Sequence, residues 1–166
     1  MAAGTLPRQP RVASNTRSNI AIIASIFNKT YVDALVESAR AEIAALIPNA
    51  VVPVYRVPGA GEIPVCAEFV ATRTKASVII AVGVIIQGET SHADLIAHTS
   101  ASALQDIGRS HLLPVINQVL LVENEAQAHA RCFGDEINRG TEAARAALSM
   151  MDLFAQLEKT YPVEEA

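Results

Sequence analysis

The chain has 166 residues and a formal net charge of −4, and 51% of its residues are hydrophobic although only 4% are aromatic. This length predicts one domain, and the negative net charge gives no electrostatic case for binding nucleic acid. The sequence contains neither a transmembrane run nor a secretory hydrophobic region.

The apolar residues are mainly Ala, Val, Ile and Leu, which is typical of parallel α/β proteins whose strands are covered on both faces. Only 18% of the residues are charged, and the mean hydropathy is +0.28. These values predict a partly apolar surface and therefore an oligomer. Cys66 and Cys132 are isolated in the sequence, which predicts reduced structural thiols in a cytoplasmic protein.

Apolar periodicity predicts strands that alternate with helices. In chain order these are a strand at residues 19–26, a helix at 29–46, a strand at 51–57, a helix at 62–72, a strand at 77–86, a helix at 91–107, a strand at 113–122, a helix at 125–132 and a helix at 138–158. Such alternation predicts a four-stranded parallel sheet between helices, a three-layer α/β/α sandwich.

Individual residues predict where these elements begin and end. Pro53 makes the second strand an edge strand, and Gly108 is predicted to stop the third long helix. Asn124, with Gln127 three residues on, predicts a capping box. Residues 1–17 are predicted to form a disordered arm, residues 18–158 the domain, and residues 159–166 a tail.

Residues 83–92 contain the strongest functional signal and read Gly-Val-Ile-Ile-Gln-Gly-Glu-Thr-Ser-His. A buried strand ends here, and the chain turns through Gly88 into a helix from about Ser91. A turn of this kind offers backbone N–H groups and a helix N-terminus to an anion such as phosphate. His92 could move protons beside that anion. The alternative is a tight turn with a solvent-exposed histidine.

Gly83 and Gly88 have the spacing of a Walker loop, but the chain continues with Glu89 and Thr90. A Walker loop needs lysine at the first of these positions to meet the outer phosphates. A carboxylate there would repel them, so nucleoside triphosphate binding is excluded. One phosphate on a small molecule remains compatible with the loop.

Four segments follow the carboxyl ends of predicted strands, where α/β proteins bind ligands. They are Phe27-Asn28, residues 58–62, residues 87–92 and Glu123-Asn124. Phe27 is either core or a platform for a flat heterocycle. The glycines of residues 58–62 belong either to a plain turn or to a close approach of backbone to ligand. Arg131 and Arg139 are either surface charge or phosphate partners. The histidine spacing predicts no metal site.

Taken together, the motifs resemble the 6,7-dimethyl-8-ribityllumazine synthase family, also described as the riboflavin synthase β-chain family. The similarity extends over roughly residues 20–153. The matching segments are residues 25–28, 57–64, 83–92, 113–115 and 123–128, then Arg131 and residues 138–144. Several separate motifs in the right order make the resemblance specific.

The resemblance implies a flavodoxin-like fold assembled at least into pentamers, with each active site shared by two neighbours. It implies condensation of 5-amino-6-(D-ribitylamino)uracil with 3,4-dihydroxy-2-butanone 4-phosphate, with release of phosphate and water, in riboflavin biosynthesis. It implies no cofactor and no metal. The implied partners are these small-molecule substrates, further copies of the chain up to a larger shell, and riboflavin synthase.

The resemblance also implies a role for each matched residue. Phe27 would stack on the pyrimidine, and His92 would be the proton donor. The residues that would meet the uracil edge and ribityl chain are Ala60, Gly61 and Glu62. Those that would line the ring pocket are Val84, Ile85 and Ile86. Those that would hold the phosphate are Gly88, Glu89 and Thr90. From a neighbouring subunit, Asn117 would border the ring and Arg131 would pair with the phosphate.

The chain departs from the family pattern at four positions. The family usually has an aromatic residue at Gly61, phenylalanine at Asn117, arginine at Gln87 and lysine at Arg139. Since two pocket walls are lost, the alternatives are a catalytically weak paralogue that binds flavin or lumazine, or one whose main role is to form a shell. The retained histidine, threonine and arginine favour the enzyme.

Overall fold

Strands and helices alternate in the order that the sequence predicts. The computed structural model describes residues 8–10, 18–88, 91–134 and 137–162. Its elements are β1 (Ile20–Ser25), α1 (Lys29–Leu46), β2 (Val54–Val57), a 3-10 turn (Ala60–Glu62), α2 (Ile63–Arg73), β3 (Val78–Ile86), α3 (His92–His111), β4 (Val115–Val122), α4 (Glu125–Cys132) and α5 (Arg139–Thr160).

The four strands form one parallel sheet in the order β2-β1-β3-β4. Buried side chains of α1, α4 and α5 pack on one face of this sheet, and those of α2 and α3 pack on the other. The predicted three-layer α/β/α sandwich is therefore confirmed. Strand β3 lies between β1 and β4 and is buried from Val78 to Val84, which explains its unbroken apolar sequence.

Helices α1 and α5 cross closely because small residues face each other. A side chain added at Gly140 would place its Cβ 2.9 Å from Ser38 Cβ, and closer still to the Leu35 carbonyl oxygen. Asn138 caps α5, since its Oδ1 accepts from the Gly140 and Thr141 amides at 3.1 Å each. Its Nδ2 donates to Ser38 Oγ at 3.1 Å. The Asn138 cap and the close helix crossing at Gly140 together hold α5 against α1.

Two predicted boundaries are wrong. Helix α3 continues past Gly108 to His111, and Leu112, in the left-handed conformation with φ 46°, ends it. A Cβ at Gly108 would lie 3.2 Å from the Leu113 carbonyl oxygen, so this glycine makes room for the returning chain. Strand β2 begins only after Pro53, which has no N–H to donate. Its predicted position at the sheet edge is confirmed.

The predicted N-terminal arm lies mostly outside the described residues, which include only residues 8–10 of it. Gln9 Nε2 donates to Glu42 Oε1 of α1 at 3.4 Å. Helix α5 ends two residues inside the predicted tail, and residues 163–166 also lie outside the description. None of the helices in the described ranges combines the length and the apolar character that a membrane span requires.

Candidate active site

A pocket of about 530 Å³ lies where β1, β2 and β3 reach their carboxyl ends. Nine of the residues implicated by the sequence line it together, namely Phe27, Ala60, Gly61, Glu62, Val84, Ile85, Ile86, Gly88 and His92. Two others, Glu89 and Thr90, lie outside the described residues. The fold thus gathers segments that are up to about 65 residues apart in the sequence around one concave surface.

The aromatic corner of the pocket follows β1. Phe27 is 72% exposed, so its position depends on the backbone rather than on packing. Its amide donates to the Pro58 carbonyl at 3.1 Å. The next residue, Asn28, is left-handed with φ 55° and ψ 41°. The Asn28 Nδ2 atom donates to the Val84 carbonyl on β3 at 2.7 Å. The exposed ring is therefore positioned by two hydrogen bonds of its turn, one from the Phe27 amide to Pro58 after β2 and one from the Asn28 side chain to Val84 on β3.

The floor of the pocket is the turn after β2. Ala60 is buried, and its carbonyl accepts a 3.2 Å hydrogen bond from Ser100 Oγ of α3, a hydroxyl that is itself buried. A Cβ at Gly59 would lie 3.0 Å from Glu62 Oε2, so the glycine leaves space for this carboxylate. A Cβ at Gly61 would meet nothing within 4 Å. The Ser100 hydrogen bond therefore holds the buried side of the turn at Ala60, while the side at Gly61 faces open space.

The far wall combines the end of β3 with the start of α3. His92 is the first residue of this 20-residue helix and is exposed. Ile96 lies four residues further on and shares its face, as helical spacing requires. The N-cap residue Ser91 makes no side-chain capping bond, and the positive end of the helix dipole favours an anion here.

Charge in the pocket is sparse. Of the described lining residues, only Glu62 and His92 can carry charge, and none is lysine or arginine. The described ranges also contain no group of three or more His, Cys, Asp or Glu side chains suited to hold a metal ion. A phosphate bound at the α3 N-terminus would therefore need its cationic partner from outside this set of residues.

Asn117 and Arg131 do not line this pocket within the described chain. Asn117 is exposed on β4, where its Oδ1 accepts from the Val119 amide at 3.0 Å. Arg131 is half-buried near the end of α4, where its Nη1 donates to the Gln127 carbonyl at 3.2 Å. Arg139 instead forms an ion pair with Glu142 in its own helix. None of these three groups lines the pocket of its own chain.

Burial keeps both cysteine thiols protonated at neutral pH. It raises the pKa of Cys66, and it raises the pKa of Cys132 to about 11, although the nearby positive charge of Arg131 acts in the opposite direction. Neither residue lines the pocket. Since a thiol nucleophile must ionise, the chemistry of this site does not use one.

Sequence reasoning did not single out two residues that line the pocket, Ala93 and Ile96. Three further lining residues, Ser25, Pro58 and Gly59, lie in segments that it did single out, but it gave them no individual role. Ile96 could have been found from its helical spacing to His92, whereas no local pattern announces the Ser100 bond to Ala60. The fourth strand-end segment, Glu123-Asn124, does not line the pocket. It forms the predicted cap instead, since Asn124 Oδ1 accepts from the Gln127 amide at 2.9 Å.

A three-layer α/β/α protein with a parallel sheet in the order β2-β1-β3-β4 belongs to the flavodoxin-like class, and the pocket at its strand ends is lined by an exposed aromatic ring, an apolar wall and one imidazole. The chain belongs to the 6,7-dimethyl-8-ribityllumazine synthase family, whose profile matches residues 17–155.

Relatives described as 6,7-dimethyl-8-ribityllumazine synthase include proteins of three bacterial genera. The protein of Xanthomonas euvesicatoria pv. vesicatoria is 40% identical over 143 residues, which cover 86% of this chain and 93% of the relative. That of Polaromonas sp. is 38% identical over 140 residues, covering 84% and 88%. That of Xanthobacter autotrophicus is 37% identical over 146 residues, covering 85% and 87%.

Proposed function

We propose that the strand-end pocket condenses 5-amino-6-(D-ribitylamino)uracil with 3,4-dihydroxy-2-butanone 4-phosphate to give 6,7-dimethyl-8-ribityllumazine. The proposal is supported by family membership. The structural observation that carries it is one pocket in which Phe27, the apolar end of β3 and His92 meet. An aromatic face, an apolar wall and a proton carrier are what joining a heterocyclic amine to a ketone requires.

The pyrimidine would lie between the Phe27 ring and the side chains at the end of β3. Aromatic faces stack on flat heterocycles, and Val84, Ile85 and Ile86 supply an apolar wall. The Glu62 carboxylate, at the open end of the turn after β2, can accept hydrogen bonds from ribityl hydroxyls. Binding both substrates here makes the attack of amine on ketone effectively unimolecular, and such positioning provides much of the rate.

His92 would move the protons. Attack of the ring amine on the ketone forms a carbinolamine, and loss of water from it gives an imine. Elimination then breaks the C–O bond to phosphate, which leaves with its electron pair. The ribitylamino nitrogen closes the second ring, and a second water leaves. Each step needs a proton donated or removed, and an exposed imidazole side chain can act as donor and as acceptor.

Arg131 of a neighbouring copy would supply the positive charge that this pocket lacks, and Asn117 of that copy would border the ring. Three observations support this part of the proposal. No described lining residue is lysine or arginine. Phe27 is 72% exposed at the pocket edge, and Val65, Phe69 and Leu95 are also more than 60% exposed. An apolar surface of this extent favours assembly, and head-to-tail contacts that close give rings; the family resemblance implies rings of five chains.

The enzyme activity is tested by mixing the two substrates with purified protein. The lumazine chromophore and free phosphate should appear in equal amounts, faster than in the uncatalysed condensation. His92→Ala should slow turnover, whereas His98→Ala, an exposed histidine of the same helix, should not. Tight binding of lumazine without acceleration over the uncatalysed reaction would refute the proposed enzyme and support a binding paralogue.

The proposal that two neighbouring chains share each site is tested by mixing two variants, each of which lacks one group of the site. His92→Ala and Arg131→Ala chains are unfolded together and reassembled, and the mixed rings are verified by mass spectrometry. Under random mixing about a quarter of the sites regain both native groups, so activity should exceed that of either parent. Arg40→Ala, which removes an exposed arginine from α1, serves as the control for arginine loss. Activity at the average of the parents would refute the shared site.

A further inference from the structure

The hydrogen bond from the Asn28 side chain to β3 has no role in the proposed mechanism. Asn28 does not line the pocket among the described residues, yet it lies between two groups that do. It follows Phe27 in the chain, and its Nδ2 donates to the Val84 carbonyl at 2.7 Å, across 56 residues of sequence. We infer that Asn28 is a positioning residue that sets the gap between the Phe27 ring and the β3 wall.

The sheet gives this bond a specific task. The ladder between β1 and β3 ends at the pair Ala24 and Val82. Beyond that pair, β1 turns toward Phe27, while β3 continues to Ile86 and remains paired with β4 on its other side. The Asn28 amide therefore adds one cross-strand bond beyond the last backbone pair, at the place where the pocket opens between the two strands.

The conformation of Asn28 suits this hydrogen bond and not a helix cap. Asparagine before a helix ordinarily uses its side-chain oxygen to cap the first turn. Asn28 precedes α1 but makes no side-chain cap, and its backbone is left-handed rather than extended. Asparagine tolerates that conformation better than most residues. Since the Val84 oxygen only accepts, the Nδ2 atom must face it.

Loss of this hydrogen bond is expected to weaken binding of the pyrimidine substrate and not of the butanone phosphate. Phe27 is mostly exposed, so loss of the bond frees its turn without opening the core. This inference rests on the proposed function, because it names the substrate that the gap would hold. Removing the Nδ2 donor should raise the KM for the pyrimidine about tenfold, which corresponds to about 1.4 kcal/mol. The KM for the butanone phosphate and kcat should change by less than about threefold.

The first experiment needs no catalysis. The chain contains no tryptophan, so Phe27→Trp introduces a single indole at the pocket corner. Time-resolved fluorescence anisotropy is measured for Phe27→Trp alone and combined with Asn28→Asp, Asn28→Gly or Ile43→Val. Aspartate and glycine both accept a left-handed backbone but lack the donor. Ile43→Val removes a buried methylene from α1, the helix that Asn28 precedes, away from the pocket. It controls for lost stability.

Both Asn28 variants should increase the amplitude of fast indole motion about twofold, while Ile43→Val leaves it unchanged. Unchanged motion in Asn28→Asp would overturn the inference, as would an increase in Asn28→Gly alone, because backbone freedom would then be the cause. An equal increase in Ile43→Val would show a general loss of stability and would also overturn it.

The second experiment measures steady-state kinetics of Asn28→Asp and Ile43→Val in the chain that keeps Phe27. A selective rise in the KM for the pyrimidine in Asn28→Asp supports the inference, and equal changes in the KM of both substrates overturn it. If the unaltered protein makes no lumazine, the proposed function fails, while the anisotropy experiment still decides whether Asn28 fixes the Phe27 turn.

Discussion

Replacing Gly140 by alanine tests the close contact between α5 and α1. The added Cβ would lie 2.9 Å from Ser38 Cβ and 3.0 Å from the Leu35 carbonyl carbon. Carbon atoms in contact are normally 3.5–4.0 Å apart, so α5 would have to move away from α1 by roughly 0.6–1 Å. One of the opposing groups is backbone, which cannot rotate aside.

The free energy of unfolding can be estimated from two opposing effects. Forcing extra carbon into a packed contact costs about 1–3 kcal/mol, and contact with backbone places this case near the upper limit. Alanine favours the helix over glycine by about 1 kcal/mol, which offsets part of that cost. We expect Gly140→Ala to lower the free energy of unfolding by roughly 2 kcal/mol.

Urea denaturation followed by circular dichroism measures this change. With a slope near 2 kcal/mol per molar urea, the midpoint should fall by about 1 M. All chains are compared at equal protein concentration because assembly adds to apparent stability. Gly61→Ala is the matched control for stability, since its Cβ meets nothing within 4 Å. It should be neutral or more stable by about 0.4–1 kcal/mol. A Gly140→Ala midpoint within about 0.2 M of the parent would refute the close crossing.

Three further outcomes follow from the site and its surroundings. His92→Ala should lower kcat by roughly 10- to 100-fold in stopped-flow assays, because acid–base transfer is lost while substrate positioning remains; an unchanged kcat would exclude His92 as the proton carrier. Asn138→Ala should lower the free energy of unfolding by about 1–2 kcal/mol in urea, because the α5 cap is lost. Cys132, with its pKa raised from 9.0 to about 11, should resist thiol reagents at pH 8. The unfolded thiol ionises first, so Cys132 should make stability fall as pH rises from about 9 to about 11, and Cys132→Ala should reduce that fall, while Cys66, whose pKa is also raised, keeps its own share.

Local pattern was sufficient for the elements that meet local rules. The bounds of α1 agree with the prediction, because its buried apolar stripe, from Val32 to Ile43, extends through most of the helix. The Asn124 and Gln127 cap was predicted from spacing alone and is present. The apolar run of β3 identified the central strand, because a strand covered on both faces has no polar side to interrupt it.

Contacts between distant residues were beyond the reach of local rules. Gly108 satisfies every local rule for a helix end, but the space it provides is needed by Leu113 and Val115. Nothing near Asn28 indicates that its side chain reaches β3 rather than capping α1. The segments of the pocket were predicted because strand ends of parallel sheets share an edge. The bonds that hold those segments in place depend on tertiary geometry.

The open surface at Gly61 separates the shape of the pocket from the stability of the fold. This glycine lies in the pocket lining, is exposed, and has no left-handed backbone that only glycine would favour. Its neighbour Ala60 carries the anchoring bond to Ser100 instead. A Cβ at position 61 meets nothing within 4 Å, so alanine there leaves the sheet and its anchor undisturbed. A single substitution at this position can therefore change the shape of the pocket while the fold is kept.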